Sequence, residues 1–255
     1  MNNVRALAEE LGFPKETLPL ILELPEYAKY SVLLCGKGYA AAAEELYRVL
    51  GADEGGWKML SVQLAGALLT REHYRERGIS DEIFLDTMGC FNRFVREHKE
   101  SYGSYGFDRW WWTGRQLSME LFRIGALEYE LADGDIAVHI PSDADLSESA
   151  LDRSFADARI FFKEKLNESG DFVCTSWLLS PVLEQLLPND SKILGFQRRF
   201  TPEGFEDSDE YKVWLFKNPA LLPEDFPENT TLQRNAKAFI LSGGKIGAGT
   251  GRIKK

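Results

Sequence analysis

Asp133-Gly134 stands between LFRIGALEYEL (121–131) and DIAVHI (135–140), two runs rich in aliphatic and aromatic residues. A two-residue Asp-Gly loop predicts a type I′ hairpin, because Gly accepts the positive φ that this turn requires. Turn geometry then dictates the register. Leu127, Tyr129 and Leu131 face Ile140, Val138 and Ile136 on an apolar side, while Glu130 faces Ala137 and Glu128 faces His139 on the other, less buried side. A carboxylate opposite an imidazole, with Cβ atoms about 5 Å apart, is suited to proton handling. The imidazole titrates near neutrality and the carboxylate orients it. His139 is thus the candidate catalytic base and Glu128 its supporting group; the ordinary alternative is a cross-strand pair on a solvated face.

FVCTSWLL (172–179) is rich in aromatic and β-branched residues and reads as a buried strand. Cys174 has no adjacent base, so its thiol reads as inert core. Ser176 lacks the G-x-S-x-G setting of a serine nucleophile. Cys174, Ser176 and Trp177 are instead candidate substrate-binding residues lining a cleft. The glycines of GGKIGAGTGRI (243–253) do not form a phosphate loop, since Lys245 is followed by Ile246 and too little chain remains for a helix. Asp143, Asp145, Ser147 and Glu148 lack the Gly and distant Glu of a calcium loop and read as an acidic helix start. Cys35, Cys90 and Cys174 are odd in number and widely spaced, which argues against disulfides and zinc; no metal is expected.

The elements that must position these residues divide near position 113. Residues 1–113 read as a helical domain. Phe84, Met88, Phe91 and Val95 form one stripe behind a Ser80 N-cap, Trp57, Leu60, Leu64 and Leu68 a second, and Tyr39, Ala43, Leu46 and Leu50 a third. Trp110-Trp111-Trp112 reads as an apolar joint. Residues 114–255 mix strands with helices. Strands are expected at 121–131, 135–140, 172–179 and 211–216, with a final strand or hairpin in 244–253. Helices are expected at 147–166, at 181–187 and after Thr230. Such alternation suggests a sheet flanked by helices.

Of 255 residues, 44% are hydrophobic and 27% charged, which excludes a disordered chain. Net charge is −10, and neither half carries a basic excess. Nucleic acid, whose affinity comes from neutralised phosphates, is not an expected partner. The start MNNVRALAEELG lacks an apolar signal core and no run reaches 18 apolar residues, so a cytoplasmic protein without a membrane partner is expected.

YRERGISDEIFLDT leading into FVREHKESYGSYGFD, then LFRIGALEYEL, HIPSDADLS, VCTSWLLSPVLEQLLP, ILGFQRRF and TTLQRNAKAFILSGG, in this order, resemble a bacterial two-domain acyltransferase-like family. Its members join an N-acyltransferase N-terminal helical domain to a GNAT-like C-terminal domain, named for the N-acetyltransferase superfamily. The resemblance implies an α+β or α/β chain: a helical bundle over 1–113, then a GNAT-like mixed sheet over 114–255. It also implies acyl transfer from coenzyme A to an amine of a small molecule or peptide. Acetyl-CoA or another acyl-CoA would be a cosubstrate, with no tightly bound cofactor. In the superfamily a pantetheine arm enters between two splayed strands, and the following strand-to-helix turn binds the pyrophosphate. Here that turn is Pro141–Ser147, which lacks the superfamily's [RQ]-x-x-G-x-[GA] glycines, carries Asp143 and Asp145, and brings no catalytic residue by motif. Two functions follow: an N-acyltransferase using His139 and Glu128, or a non-catalytic GNAT-shaped module that binds a small molecule or peptide without a phosphate loop.

Overall fold

A computed structural model describes residues 3–254. The chain divides between Arg123 and Ile124 into two compact units.

The first unit carries α1 (Val4–Glu10), α2 (Ala28–Leu34), α3 (Tyr39–Leu50), α4 (Trp57–Glu76), α5 (Asp81–Tyr102) and α6 (Gly114–Leu117). The α5 stripe is fully buried, and the Ser80 side chain accepts from the Ile83 N–H, so periodicity and cap act together. Arg71 of α4 is clamped between Glu10 and Asp81, tying α1 to the start of α5. Their carboxyls are held below the usual range chiefly by hydrogen bonds from Arg71. Trp110 stacks on Tyr47 of α3 at 4.8 Å between ring centres.

The strands are β1 (Leu121–Ile124), β2 (Leu127–Ala132), β3 (Asp135–His139), β4 (Phe172–Ser176), β5 (Thr201–Glu206) and β6 (Ala248–Ile253). They form one mixed sheet in the order β1-β2-β3-β4-β6-β5. The second unit's helices are α7 (Glu148–Phe161), α8 (Leu183–Leu186), α9 (Lys192–Gln197), α10 (Glu210–Trp214) and α11 (Thr231–Leu241). Asp133 and Gly134 both have positive φ, 32° and 92°, as a type I′ turn requires. The β2–β3 register is the expected one, with Glu128 opposite His139 and Tyr129 opposite Val138.

Three expectations are corrected, and one strand is added. The run 121–131 is two strands, because Gly125 turns the chain at φ 63°. Strand 172–179 ends at Ser176, whose side chain accepts from the Leu178 N–H and starts a 3-10 turn over Trp177–Leu179. YKVWLF (211–216) is not a strand: α10 occupies its start. Tyr211 and Leu215, one helical turn apart, enter a core with Phe216, Phe226, Leu183 and Ile246, and that packing outweighs β propensity. Strand β5 had no signal. Every residue in it is exposed, and it contains Pro202, Gly204 and a bulge between them.

Ser154 of α7 holds the hairpin to its helix. Its hydroxyl donates to the Ile124 carbonyl at 2.5 Å, accepts from the Leu127 N–H at 3.3 Å and meets the Tyr129 hydroxyl at 2.9 Å. Ser154 and Tyr129 are both buried. Ser154→Ala strands these partners and is expected to cost about 1–3 kcal/mol in denaturant unfolding.

Among the described residues, no helix is long and apolar enough to cross a membrane.

Candidate active site

β3 and β4 run parallel but pair only at Ile136–Phe172 and Ala137–Val173. Among the described residues no further rung joins them, although β3 continues to His139 and β4 to Ser176. β6 keeps β4 in place along that stretch, through Cys174–Gly251, Thr175–Thr250 and Ser176–Gly249. Backbone groups leave a strand alternately on its two sides. Those of 174–176 not taken by β6 therefore face the opening beside β3.

The closed end of this opening is pinned. The Ile136 N–H donates to the Asp171 carbonyl at 2.9 Å, and the Asp171 N–H donates to Asp135 Oδ1 at 3.1 Å. Arg252 of β6 bonds Asp135 at 2.7 Å and Glu203 of β5 at 2.8 Å. One guanidinium thus ties β3, β5 and β6 where the ladder is intact.

His139 ends β3 at the open end. Its Nε2 shares a 2.7 Å hydrogen bond with Glu130 Oε2, and the two side chains are 27% and 19% exposed. Glu130 is the diagonal neighbour on the same face, within reach of a long side chain. Glu128 is directly opposite, as expected, but is buried rather than on a less buried side. The reason is that residues 127–129 are buried on both faces of the sheet. The hydrogen bond to Glu130 orients the ring from the diagonal position.

A further carboxylate lies just before the run 211–216. Glu210, the first residue of α10, lies close enough to interact electrostatically with His139. The residue reaches solvent, yet protein crowding its carboxyl raises its proton affinity. The Trp214 indole N–H donates to Glu210 Oε1 at 3.1 Å and partly offsets that rise.

Cys174, Ser176 and Trp177 sit beside the opening with buried side chains. Burial pushes the Cys174 thiol up, so it holds its proton. Trp177 packs into the core with Leu183 and Phe226. The Ser176 hydroxyl caps Leu178, and Gln197 of α9 donates to the carbonyls of Leu178 and Ser180, fixing the chain as it leaves β4. What these residues can offer at the opening is backbone.

Beyond His139, the turn Pro141–Ser147 leads into α7. Asp145 accepts from the Ser147 N–H at 2.9 Å and its hydroxyl at 2.8 Å, and pairs with Lys192 of α9 at 3.2 Å. These contacts, the backbone bond first, hold its carboxyl below the usual range. Next to it a cavity of about 480 Å³ separates the starts of α7 and α9, with Lys192, Arg198 and Arg199 in its wall. The same wall holds Glu148, Asp152 and Asp190, and Arg199 pairs with Asp152.

The geometry can be set beside known proteins. A comparison with curated proteins gives no match. A solved acyltransferase in complex with decanoyl-CoA and teicoplanin is similar over 98% of this chain and 87% of its own, at 25% identity and TM-score 0.81. An acyltransferase in complex with CoA and 10C-teicoplanin is similar over 99% of both chains, at 22% identity and TM-score 0.74. Residues 2–119 match the N-acyltransferase N-terminal domain, and residues 121–253 match the GNAT-like C-terminal domain. The chain therefore belongs to the acyltransferase-like family that joins these two domains.

Proposed function

We propose that this protein transfers an acyl group from an acyl-CoA thioester to an amine of a small molecule or peptide. The observation that carries the proposal is the β3–β4 ladder that stops after two rungs, with an oriented imidazole at its open end. An extended pantetheine arm can use backbone groups that a complete ladder would consume. The solved acyltransferases similar to this chain hold decanoyl-CoA or CoA.

In this reading the thioester lies along the open stretch of β4, and backbone N–H groups of 174–176 steady the oxyanion as the amine attacks. His139, oriented by Glu130, takes a proton from the attacking nitrogen. Glu128 supports the strand from its buried position. The phosphates of coenzyme A lie toward α7 and the cavity beside it, where Lys192 pairs with Asp145 and Arg198 and Arg199 share the wall with Glu148, Asp152 and Asp190.

Coenzyme A and decanoyl-CoA are tested by thermal shift, followed by thiol release on adding an amine. A ligand that binds only the folded state at about a hundred times its Kd adds about 2.7 kcal/mol, which for a chain of this size raises the melting temperature by roughly 5 °C or more. No shift with either compound overturns the proposal. A shift without thiol release favours the non-catalytic binding module, for which the glycine-free, acidic turn Pro141–Ser147 is the supporting observation.

A further inference from the structure

Acylating an amine that arrives as an ammonium ion removes two protons from its nitrogen. The first must leave before there is a lone pair to attack. The second leaves after the N–C bond forms and the C–S bond breaks. A single imidazole cannot hold both unless it sheds one between the steps.

We propose that Glu210 is a second catalytic residue, which takes the ammonium proton of the incoming amine and leaves the later proton to His139. The proposal rests on the acyl-transfer reading above. Three features of placement support it. β5 ends beside β6, with Glu206 opposite Ala248, and β6 sets Gly249 opposite Ser176, so the chain leaving β5 enters α10 near the open end of β4. Glu210 begins that helix, is exposed to solvent and interacts with both His139 and Cys174. The Trp214 indole holds its carboxyl at 3.1 Å, which limits the rotamers of an otherwise free side chain.

The groups facing Glu210 favour this role. Protein crowding the carboxyl raises its proton affinity and Glu206 adds to this, while the Trp214 hydrogen bond and then His139 lower it. The carboxyl is therefore a stronger base than an ordinary surface glutamate. The step balances. R–NH3+ gives one proton to the Glu210 carboxylate, and the neutral amine attacks the thioester carbonyl. The C–S bond breaks with its electron pair on sulfur, and His139 takes the remaining proton from nitrogen. One of the two protons returns to the thiolate as CoA–SH, and the other goes to solvent.

The test compares two small amines at neutral pH with decanoyl-CoA as donor. Ethanolamine is cationic there, whereas hydroxylamine is already neutral and needs no first deprotonation. Glu210→Gln is expected to lower transfer to ethanolamine by about 10²-fold and transfer to hydroxylamine far less. His139→Gln should lower both alike. Raising the pH supplies neutral ethanolamine and should restore the Glu210→Gln variant selectively. Equal losses for the two amines, or no loss for either, overturn the assignment of Glu210. If the wild-type protein transfers to neither amine, the acyl-transfer reading itself fails, an outcome distinct from the other two. Because Glu210 is exposed, the variant should keep the wild-type melting temperature, and a large fall would assign any loss of rate to misfolding and so overturn the catalytic role.

Discussion

His139→Gln is expected to lower acyl transfer by about 10²-fold or more while leaving the fold intact. The ring is partly exposed at the end of a strand, and glutamine matches its polarity and much of its volume without a titratable nitrogen. Little packing is lost, so the effect falls on the chemical step, as a lower kcat with a nearly unchanged KM for the acyl donor. Glu130→Gln removes the charge that meets Nε2 but keeps a side chain able to hydrogen-bond. It should cost less than loss of the ring. Glu128→Gln places an amide where a buried carboxylate stood, and its effect should appear first in stability. A His139→Gln variant that transfers acyl groups at the wild-type rate would remove the imidazole from the mechanism.

The second large effect is expected at Gly249. A Cβ there would lie 2.2 Å from the Leu179 carbonyl oxygen and 2.7 Å from its carbon. Those are backbone atoms of the turn leaving β4, so relief requires moving either β6 or the segment that Gln197 fixes. Overpacking of this kind costs about 1–3 kcal/mol or more. Gly249→Ala should therefore lower the melting temperature by several degrees and, through the Gly249–Ser176 rung, disturb the open end of β4. Gly89 provides the contrast. It lies inside α5, and a Cβ there meets nothing within 4 Å. Gly89→Ala should stabilise by roughly 0.8–1 kcal/mol through helix propensity alone. Differential scanning calorimetry of the two variants checks both the signs and the ranking.

Much of this architecture is local chemistry and can be read from the chain. Asp133-Gly134 determines the β2–β3 register because the turn allows only one backbone twist, and Glu128 falls opposite His139 as a consequence. The Ser80 cap and the stripe from Phe84 to Val95 determine α5, since cap and periodicity agree. Thr230 and Gln233 close a capping box that starts α11. The order of motifs already pointed to the family that the domain matches show.

What the sequence left open are choices between equivalent local options. Glu128 and Glu130 are both on the face of His139, and which one meets the ring depends on what covers each end of β2, a matter of layers packed from distant parts of the chain. KVWLF suits a strand or a helix, and the pocket formed by Leu183, Phe226 and Ile246 selects the helix, bringing Glu210 toward His139. β5 has no apolar alternation because neither face is buried; it exists because β6 offers an edge. The two-rung limit on β3 and β4 is invisible in either strand alone. Pairing between segments more than thirty residues apart is set by tertiary packing, and so is the opening on which the candidate active site depends.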